Sequence, residues 1–286
     1  MENISIILSD LDGTLFRDDK SISEFTKLTV ASAQKKGILF GISTSRALTN
    51  ASEFLGGIEP DILITNGGGL VHYKGKKIYD SGFSNEETRA LIKNAFAVMG
   101  KDAVISLDNE KGLYSNSREE LGDKFWTFND FSDFSESAMK MCFKTRDKSV
   151  VEKIASCVGV ENVDLLPFSD IPWFKITKID ATKEKGIEAL CAHLKISPKK
   201  IASFGDDFTD IGMLKLCGRG IAMKNAIPEV KLAADEICLS NQEDGVAKWI
   251  EETGYAKPYT SDSRKLFKIG VNFSTEERNI VEWEVE

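Results

Sequence analysis

Residues 5–15 read SIILSDLDGTL, an apolar run that ends in two aspartates, Asp10 and Asp12, with one leucine between them. Side chains two positions apart on a strand point to the same side of it. If the strand continues through Asp12, both carboxylates lie at one spot, where like charges oppose each other's ionisation. This stretch therefore predicts a bound cation, a shared proton or open water beyond the end of a buried strand.

The composition is typical of a globular domain protein and limits its partners. The chain has 286 residues, of which 42% are hydrophobic and 29% charged, and its net charge is −8. This acidic balance disfavours general binding to nucleic acids or anionic membranes, so we expect neither as a partner. The first residues do not resemble a signal peptide and the five cysteines form no CxxC pair, which together favour the cytoplasm.

Helical and strand patterns alternate in the first and last thirds of the chain. A helix is predicted over about residues 23–36, with Ser21 and Glu24 as its capping box and Gly37 as its stop. Near-continuous apolar strands separated by helices indicate a parallel sheet covered on both faces. The predicted fold class is α/β, with a doubly wound, Rossmann-like parallel-sheet core. The predicted core strands cover residues 5–9, 38–42, 61–64, 200–204, 220–223 and 236–239.

The middle of the chain has a different pattern of short strands and helices. One predicted strand, residues 139–143, alternates apolar and polar side chains, and two helices are predicted to start with capping boxes at Ser84 and Ser149. We interpret residues 82–181 as an inserted α+β domain that separates the two parts of the core, 1–81 and 182–260. The C-terminal extension, 261–286, contains two alternating apolar and polar runs, which predict a β-hairpin.

Polar side chains follow the predicted core strands or open a neighbouring helix. Ligands of open α/β sheets bind at the carboxyl ends of the strands, so these side chains should converge. Carboxylate oxygens are the ligands that Mg²⁺ prefers, together with water and substrate phosphate, and hydroxyl and ammonium groups suit phosphate oxygens. The sequence thus predicts a magnesium and phosphate site at this edge. The polar residues at this edge are Asp10, Asp12, Thr14, Thr44, Ser45, Arg46, Asn66, Lys185, Asp206, Thr209, Asp210 and Asn225. We interpret Arg46 as an ion-pair former and keep it out of the catalytic set.

Four stretches, in their order along the chain, resemble the motifs of the haloacid dehalogenase superfamily of phosphatases, and within it the Cof-type sugar-phosphatase branch. The resemblance runs from Asn3 to about Ile250, and the inserted domain lies where this branch has its cap domain. The motifs are Asp10-Leu11-Asp12-Gly13-Thr14-Leu15, Thr44-Ser45-Arg46, Glu184-Lys185-Gly186 and Gly205-Asp206-Asp207-Phe208-Thr209-Asp210.

The resemblance implies a Mg²⁺-dependent phosphomonoester hydrolase that works through an aspartyl-phosphate intermediate. Its substrate would be a small phosphorylated metabolite such as a sugar phosphate. Asp10 would be the nucleophile. Asp12 would protonate the leaving oxygen and then deprotonate the attacking water. We expect the enzyme to be a monomer or a homodimer.

The same resemblance implies the remaining site residues. The carboxylates of Asp10 and Asp206 and the backbone carbonyl of Asp12 would hold Mg²⁺, and Asp210 would orient Lys185 or support the metal. Residues expected to bind the phosphoryl group are Thr44, Ser45, Lys185 and Thr209, and Asn66 and Asn225 are expected to support them.

At two positions the chain departs from the usual motifs, and several functions stay open as alternatives. Ser45 and Thr209 stand where glycine and asparagine are usual. The fourth motif, with Thr209, also resembles the trehalose- and sucrose-phosphate phosphatases. Further alternatives are a phosphotransferase or phosphomutase of the same superfamily and a phosphate-binding regulatory relative without activity. A phospho-accepting receiver domain is disfavoured, because it is much shorter and its phosphorylated aspartate follows a later strand.

Overall fold

The computed structural model describes residues 3–53, 55–120, 125–168 and 171–257. The β-hairpin predicted for the extension 261–286 lies outside the described residues. None of the described helices has both the length and the apolar character that crossing a membrane requires.

The strands of the described residues form two sheets. In chain order they are β1 (Ile6–Ser9), β2 (Leu39–Ser43), β3 (Ile62–Thr65), β4 (Leu70–Tyr73), β5 (Lys76–Asp80), β6 (Ile105–Asp108), β7 (Leu113–Ser115), β8 (Trp126–Phe128), β9 (Lys140–Phe143), β10 (Val163–Pro167), β11 (Phe174–Lys178), β12 (Ile201–Gly205), β13 (Arg219–Ala222) and β14 (Glu236–Ile237). The first sheet has the order β14-β13-β12-β1-β2-β3-β4-β5, and the second has the order β10-β11-β9-β6-β7-β8.

The α-helices connect the strands and cover the sheets. In chain order they are α1 (Glu24–Lys35), α2 (Leu48–Glu53), α3 (Asn85–Met99), α4 (Lys148–Ala155), α5 (Lys183–Leu194), α6 (Ile211–Leu216), α7 (Pro228–Ala233) and α8 (Gly245–Glu252). Helix α3 begins with the predicted capping box at Ser84. Helices α1 and α4 are capped elsewhere than predicted, because the hydroxyl of Ser23 and the carboxylate of Asp147 accept the free backbone N–H groups.

The first sheet is the predicted doubly wound core. Strand β1 lies at its centre between β12 and β2 and is parallel to both, and only β4 and β5 run antiparallel to their neighbours. Apolar clusters cover both faces: one includes Ile7 and Trp249, on the side of α1 and α8, and the other includes Leu8 and Ile187, on the side of α5 and α6. The α/β fold class is therefore confirmed.

The second sheet is built from strands that all lie within residues 82–181. Most of its neighbouring strands are antiparallel, with β7 and β8 as a parallel pair. One face packs on α3 and α4 through fully buried side chains such as Met141 and Phe143, which the alternating pattern predicted. The opposite face is polar. The boundaries of the inserted domain, 82 and 181, stay a prediction.

Polar contacts link the second sheet to the loop after β3 and to the antiparallel strands β4 and β5 of the core. The side chain of Asn66, which follows β3, donates to Asp108 Oδ1 at 3.1 Å. The ring of His72 on β4 contacts Glu110 Oε1 at 3.0 Å, and Lys77 Nζ donates to Glu110 Oε2 at 2.9 Å. These contacts fix the second sheet against the core, and the contact at Asn66 lies at the edge where the predicted site is.

Candidate active site

Asp10 lies immediately beyond the end of β1, and its backbone N–H donates to the carbonyl of Phe204 on β12 at 3.0 Å. The strand does not continue through Asp12, because the chain turns at Leu11–Leu15, with Gly13 at a φ of 76°. A Cβ at Gly13 would lie 2.2 Å from Asp206 Oδ2, so only glycine fits this turn. The expectation that the two aspartates share one strand face is therefore wrong.

The carboxylate of Asp10 is paired with a buried lysine that the sequence analysis did not select. The Nζ of Lys183 donates to Asp10 Oδ1 at 2.6 Å and to Asp210 Oδ1 at 2.5 Å. The side chains of Lys183 and Asp210 are only 2% and 1% exposed. One ammonium group thus joins two carboxylates that come from distant parts of the chain.

Lys185, the lysine predicted for the site, lies outside it. Its side chain is 50% exposed and pairs with Glu188 at 2.9 Å. Helix α5 begins at Lys183 after the N-cap Thr182, and positions two apart on a helix differ by about 200° in direction. Lys183 therefore points into the protein while Lys185 points to solvent. The capping threonine was the available signal, because it places Lys183 at the first helical position.

Three carboxylates, those of Asp10, Asp206 and Asp210, have oxygen atoms within 4.8 Å of one another and could hold a metal ion. Some of these oxygens are already bonded: Thr14 donates to Asp206 Oδ1, and the backbone N–H groups of Asp206 and Asp207 donate to Asp210 Oδ2. Among the described residues, Oδ2 of Asp10 and Oδ2 of Asp206 receive no hydrogen bond. The donor set therefore fits a divalent cation that binds carboxylate oxygens.

The same cluster has perturbed acidities. Burial raises the pKa of Asp10 to about 7, against the opposing attraction of Lys183. Burial also raises the pKa of Asp206 to about 6. Burial alone would lower the pKa of Lys183, but its two carboxylate partners outweigh this effect and raise it. Negative charge is thus in excess at this point, and a bound cation would favour the ionised carboxylates.

Asp12 is more exposed than Asp10 and is held by two cationic side chains. Arg46 donates to both of its carboxylate oxygens, at 2.6 and 2.7 Å, and Lys20 donates to Oδ1 at 2.7 Å. Partial burial would raise the pKa of Asp12, but the hydrogen bonds from Arg46 and Lys20 lower it. The side chain of Asp12 is therefore ionised in this arrangement, as a general base must be.

Three of the four residues predicted to bind phosphate, Thr44, Ser45 and Thr209, line a cavity of about 260 Å³ that Asp10, Asp12 and Asp210 also line. Thr44 is buried and its hydroxyl oxygen accepts from the backbone N–H of Arg46 at 3.2 Å, which leaves the hydroxyl hydrogen free to donate. Ser45 and Thr209 are exposed and line the same cavity.

The two predicted supporting residues hold loops. Asn66 has a φ of 55° and reaches Asp108, as described above. The side chain of Asn225 donates to the carbonyl of Gly13 at 2.7 Å and accepts from the backbone N–H of Asn241 at 3.0 Å. Asn225 therefore ties the turn after Asp10 to the loop that follows β14.

Comparison with known proteins identifies the family. The sequence model of the haloacid dehalogenase-like hydrolase family matches residues 7–250, so the chain belongs to this family. The predicted superfamily and its Cof-type phosphatase branch are confirmed, and the protein is an enzyme of this class.

Individual relatives are similar over nearly their whole length. A 5-amino-6-(5-phospho-D-ribitylamino)uracil phosphatase of Bacillus subtilis is 26% identical over 271 residues, which cover 86% of this chain and 96% of the relative. A phosphoglycolate phosphatase of Methanopyrus kandleri is 25% identical over 252 residues, which cover 87% of this chain and 96% of the relative. The solved structure of a subclass IIB sugar phosphatase shares the fold, with a TM-score of 0.69 at 24% identity. The match covers 88% of this chain and 99% of that one.

Removal of one charge from the carboxylate cluster should stabilise the metal-free protein. The raised pKa of Asp206 means that its ionised form is disfavoured in the fold, so its contribution to stability is present at low pH and is lost as the pH rises through about 6. Asp206→Asn should therefore raise the free energy of unfolding at pH 8 by about 1 kcal/mol, a value reduced because solvent still reaches this half-buried group. The gain should shrink as the pH falls through 6 and be nearly gone at pH 4, close to the ordinary pKa of an aspartate.

Thermal unfolding in EDTA at pH 4 and pH 8 measures this effect. The exposed Asp102, changed to Asn, is the matched control and should not alter the melting temperature. A lower melting temperature of Asp206→Asn at pH 8 would show that favourable contacts of the Asp206 carboxylate outweigh the cost of burying its charge.

Proposed function

We propose that this protein is a Mg²⁺-dependent phosphomonoester hydrolase that acts through an aspartyl-phosphate intermediate on a small phosphorylated metabolite, such as a sugar phosphate. The observation that carries the proposal is the position of Asp10 at the end of β1. Its carboxylate is fixed by Lys183, adjoins two further carboxylates and lines an open cavity. A carboxylate in this position can act as a nucleophile that divides a difficult displacement into two easier steps.

In the first step a carboxylate oxygen of Asp10 attacks phosphorus and the bond to the ester oxygen breaks. The leaving oxygen takes a proton from Asp12, which lines the same cavity. The buried ammonium of Lys183 keeps Asp10 in place and adds positive charge beside the transferring group. Thr44, Ser45 and Thr209 supply donors to the phosphoryl oxygens, which suits a reaction that depends on positioning and charge.

In the second step a water molecule attacks the phosphorus of the aspartyl-phosphate. Asp12 accepts a proton from this water, inorganic phosphate leaves, and the Asp10 carboxylate is restored. The ion pairs with Arg46 and Lys20 favour the ionised Asp12 that this step needs. They oppose the protonated form that the first step needs, so those contacts must weaken when substrate binds.

The metal site of this proposal consists of Asp10, Asp206 and the backbone carbonyl of Asp12. When bound there, Mg²⁺ supplies positive charge to the oxygens of the phosphoryl group. Both oxygens of Asp210 are engaged, one by Lys183 and the other by backbone N–H groups. Asp210 is therefore a positioning residue for Lys183 and for the loop that carries Asp206.

The names of the relatives support the substrate class. The Bacillus subtilis protein is named for a phosphorylated ribitylaminouracil and the Methanopyrus kandleri protein for phosphoglycolate. Both compounds are small phosphate esters. We expect this chain to act on a molecule of the same general kind.

Phosphate release from a panel of small phosphate esters tests the proposed reaction. Wild-type protein should release phosphate with Mg²⁺, lose this activity in EDTA and regain it when Mg²⁺ is restored. Asp10→Asn should lower kcat/KM by roughly a thousandfold or more, because the nucleophile is lost. Asp102→Asn is the control. Full activity of Asp10→Asn, or activity that EDTA does not remove, would contradict the proposal.

The two lysines at the start of α5 give a matched pair of variants. Lys183→Met should lower kcat/KM by about a hundredfold or more, since a fixed charge beside the reacting group is lost. Lys185→Met should keep kcat/KM within about twofold of wild type, because its ammonium group is paired with Glu188 in solvent. A large loss in Lys185→Met, with an unchanged melting temperature, would restore the assignment made from the sequence.

Thr209→Val tests whether the exposed hydroxyl binds phosphate. Among the described residues this side chain makes no hydrogen bond, and Asp207 rather than Thr209 caps the following helical turn. Loss of a donor to a charged oxygen should cost about 1.5–3 kcal/mol, or roughly ten- to more than a hundredfold in kcat/KM, with no change in melting temperature. Thr209→Asn should retain far more activity. Unchanged kcat/KM in Thr209→Val would remove Thr209 from the site.

A further inference from the structure

The polar face of the second sheet lines a second cavity, of about 230 Å³. Side chains directly opposite each other on paired strands, and those two positions further along, share one face of a sheet. The pairings of β6, β9, β10 and β11 place on this face Ser106, Asp108, Lys140, Cys142, Asp164, Leu166, Lys175 and Thr177. Of these, Lys140, Asp164, Leu166, Lys175 and Thr177 line the cavity.

This cavity adjoins the one that contains Asp10. Ser45 and Thr209 line both, and Lys183 and Glu184 line the second one from the core side. A molecule whose phosphate lies at Asp10 would therefore extend past Ser45 and Thr209 toward the second sheet. The side chains of that sheet would contact the part of the molecule that does not react.

Lys140, one of the two lysines in the cavity, already has a counter-ion. Its Nζ lies 2.7 Å from Asp108 Oδ2, and Asn66 donates to the other oxygen of the same carboxylate. Burial alone would lower the pKa of Lys140, but the Asp108 carboxylate outweighs it and raises the pKa. Lys140 therefore belongs to the contacts that hold the second sheet on the core.

Lys175 has no such partner. Its cross-strand neighbours are Cys142 on β9 and Leu166 on β10, and neither carries a charge at neutral pH. It makes no hydrogen bond or ion pair with any residue in the described part of the chain. Burial, and then the nearby ammonium of Lys140, lower its pKa and outweigh the more distant attraction of the Asp108 and Asp164 carboxylates, neither of which forms an ion pair with it. A half-buried cation without a counter-ion is costly unless an anion joins it.

We propose that Lys175 binds a second anionic group of the substrate, a carboxylate or a second phosphate, while the reacting phosphate lies at Asp10. The substrate class is then a phosphorylated acid or a bisphosphate rather than a phosphate ester of a neutral alcohol. This inference rests on the proposed phosphatase function. The carboxylate of Glu184 lines the core side of the same cavity and repels an anion there, which leaves the side of Lys175 for the anionic group.

Two series of phosphate esters, with three and six carbons, test the proposal. Each series has a member with a neutral remainder, one with a carboxylate and one with a second phosphate. The three-carbon members are glycerol 3-phosphate, 3-phosphoglycerate and propane-1,3-diol bisphosphate. The six-carbon members are glucose 6-phosphate, 6-phosphogluconate and glucose 1,6-bisphosphate. Comparison of the carboxylate and phosphate members within a series shows which of the two anions the site takes.

In at least one series, wild-type protein should prefer a two-anion ester to the neutral ester by about tenfold or more in kcat/KM, the usual effect of one charge-assisted contact. Lys175→Met should bring this ratio close to one. Lys175→Arg should retain part of the preference. Lys153→Met is the matched control, since this exposed lysine on α4 lies outside the cavity, and should keep the wild-type ratio.

Binding measured in an Asp10→Asn background separates this inference from the proposed reaction. Isothermal titration calorimetry of the esters, with Mg²⁺ present, should show tighter binding of the two-anion esters than of the neutral ester by Asp10→Asn protein. This difference should be lost in the double variant that also carries Lys175→Met. If wild-type protein hydrolyses no ester but the binding difference is present, the proposed reaction fails and the role of Lys175 stands. If the preference is absent, or equal in wild type and Lys175→Met, in both series, the role of Lys175 is refuted.

Discussion

The buried ion pairs of Lys183 with Asp10 and Asp210 are the interaction on which the site depends. Burial of a charged group is costly unless it is paired and hydrogen-bonded, and here one ammonium group serves two carboxylates. The third carboxylate, Asp206, adds negative charge that no lysine of the described residues pairs with. The cluster therefore has an excess of negative charge, and a divalent cation that binds the folded state would also stabilise it.

The two sheets have separate tasks in this account. The parallel core brings Asp10, Asp206 and Lys183 together because the carboxyl ends of its strands meet at one edge. Its central strand is buried on both sides, so the backbone that carries Asp10 is rigid. The second sheet contributes a polar face that is held in place by Asp108 and Glu110. The reaction would thus depend on the core, and the choice of substrate on the second sheet.

Sequence reasoning was most successful where a local pattern decides the structure. The apolar run before Asp10 and the alternation of strands and helices predicted the fold, and the motifs predicted the family. It failed at Lys185, because the direction of a helical side chain depends on where the helix begins. The direction of the Asp12 side chain depends on the turn at Gly13. The position of Lys175 depends on the strand register of the second sheet. A single sequence specifies that register only through contacts between residues distant along the chain.

The most direct test of the account is to find the phosphorylated residue during turnover. Wild-type protein with Mg²⁺ and an excess of a hydrolysed ester is quenched in acid within milliseconds, and its peptides are analysed by mass spectrometry. The account predicts one added phosphoryl group on the peptide that contains Asp10, with the label located on Asp10 and removed by hydroxylamine, as an acyl phosphate requires. A phosphoryl group on another residue, or none during rapid turnover, would contradict it.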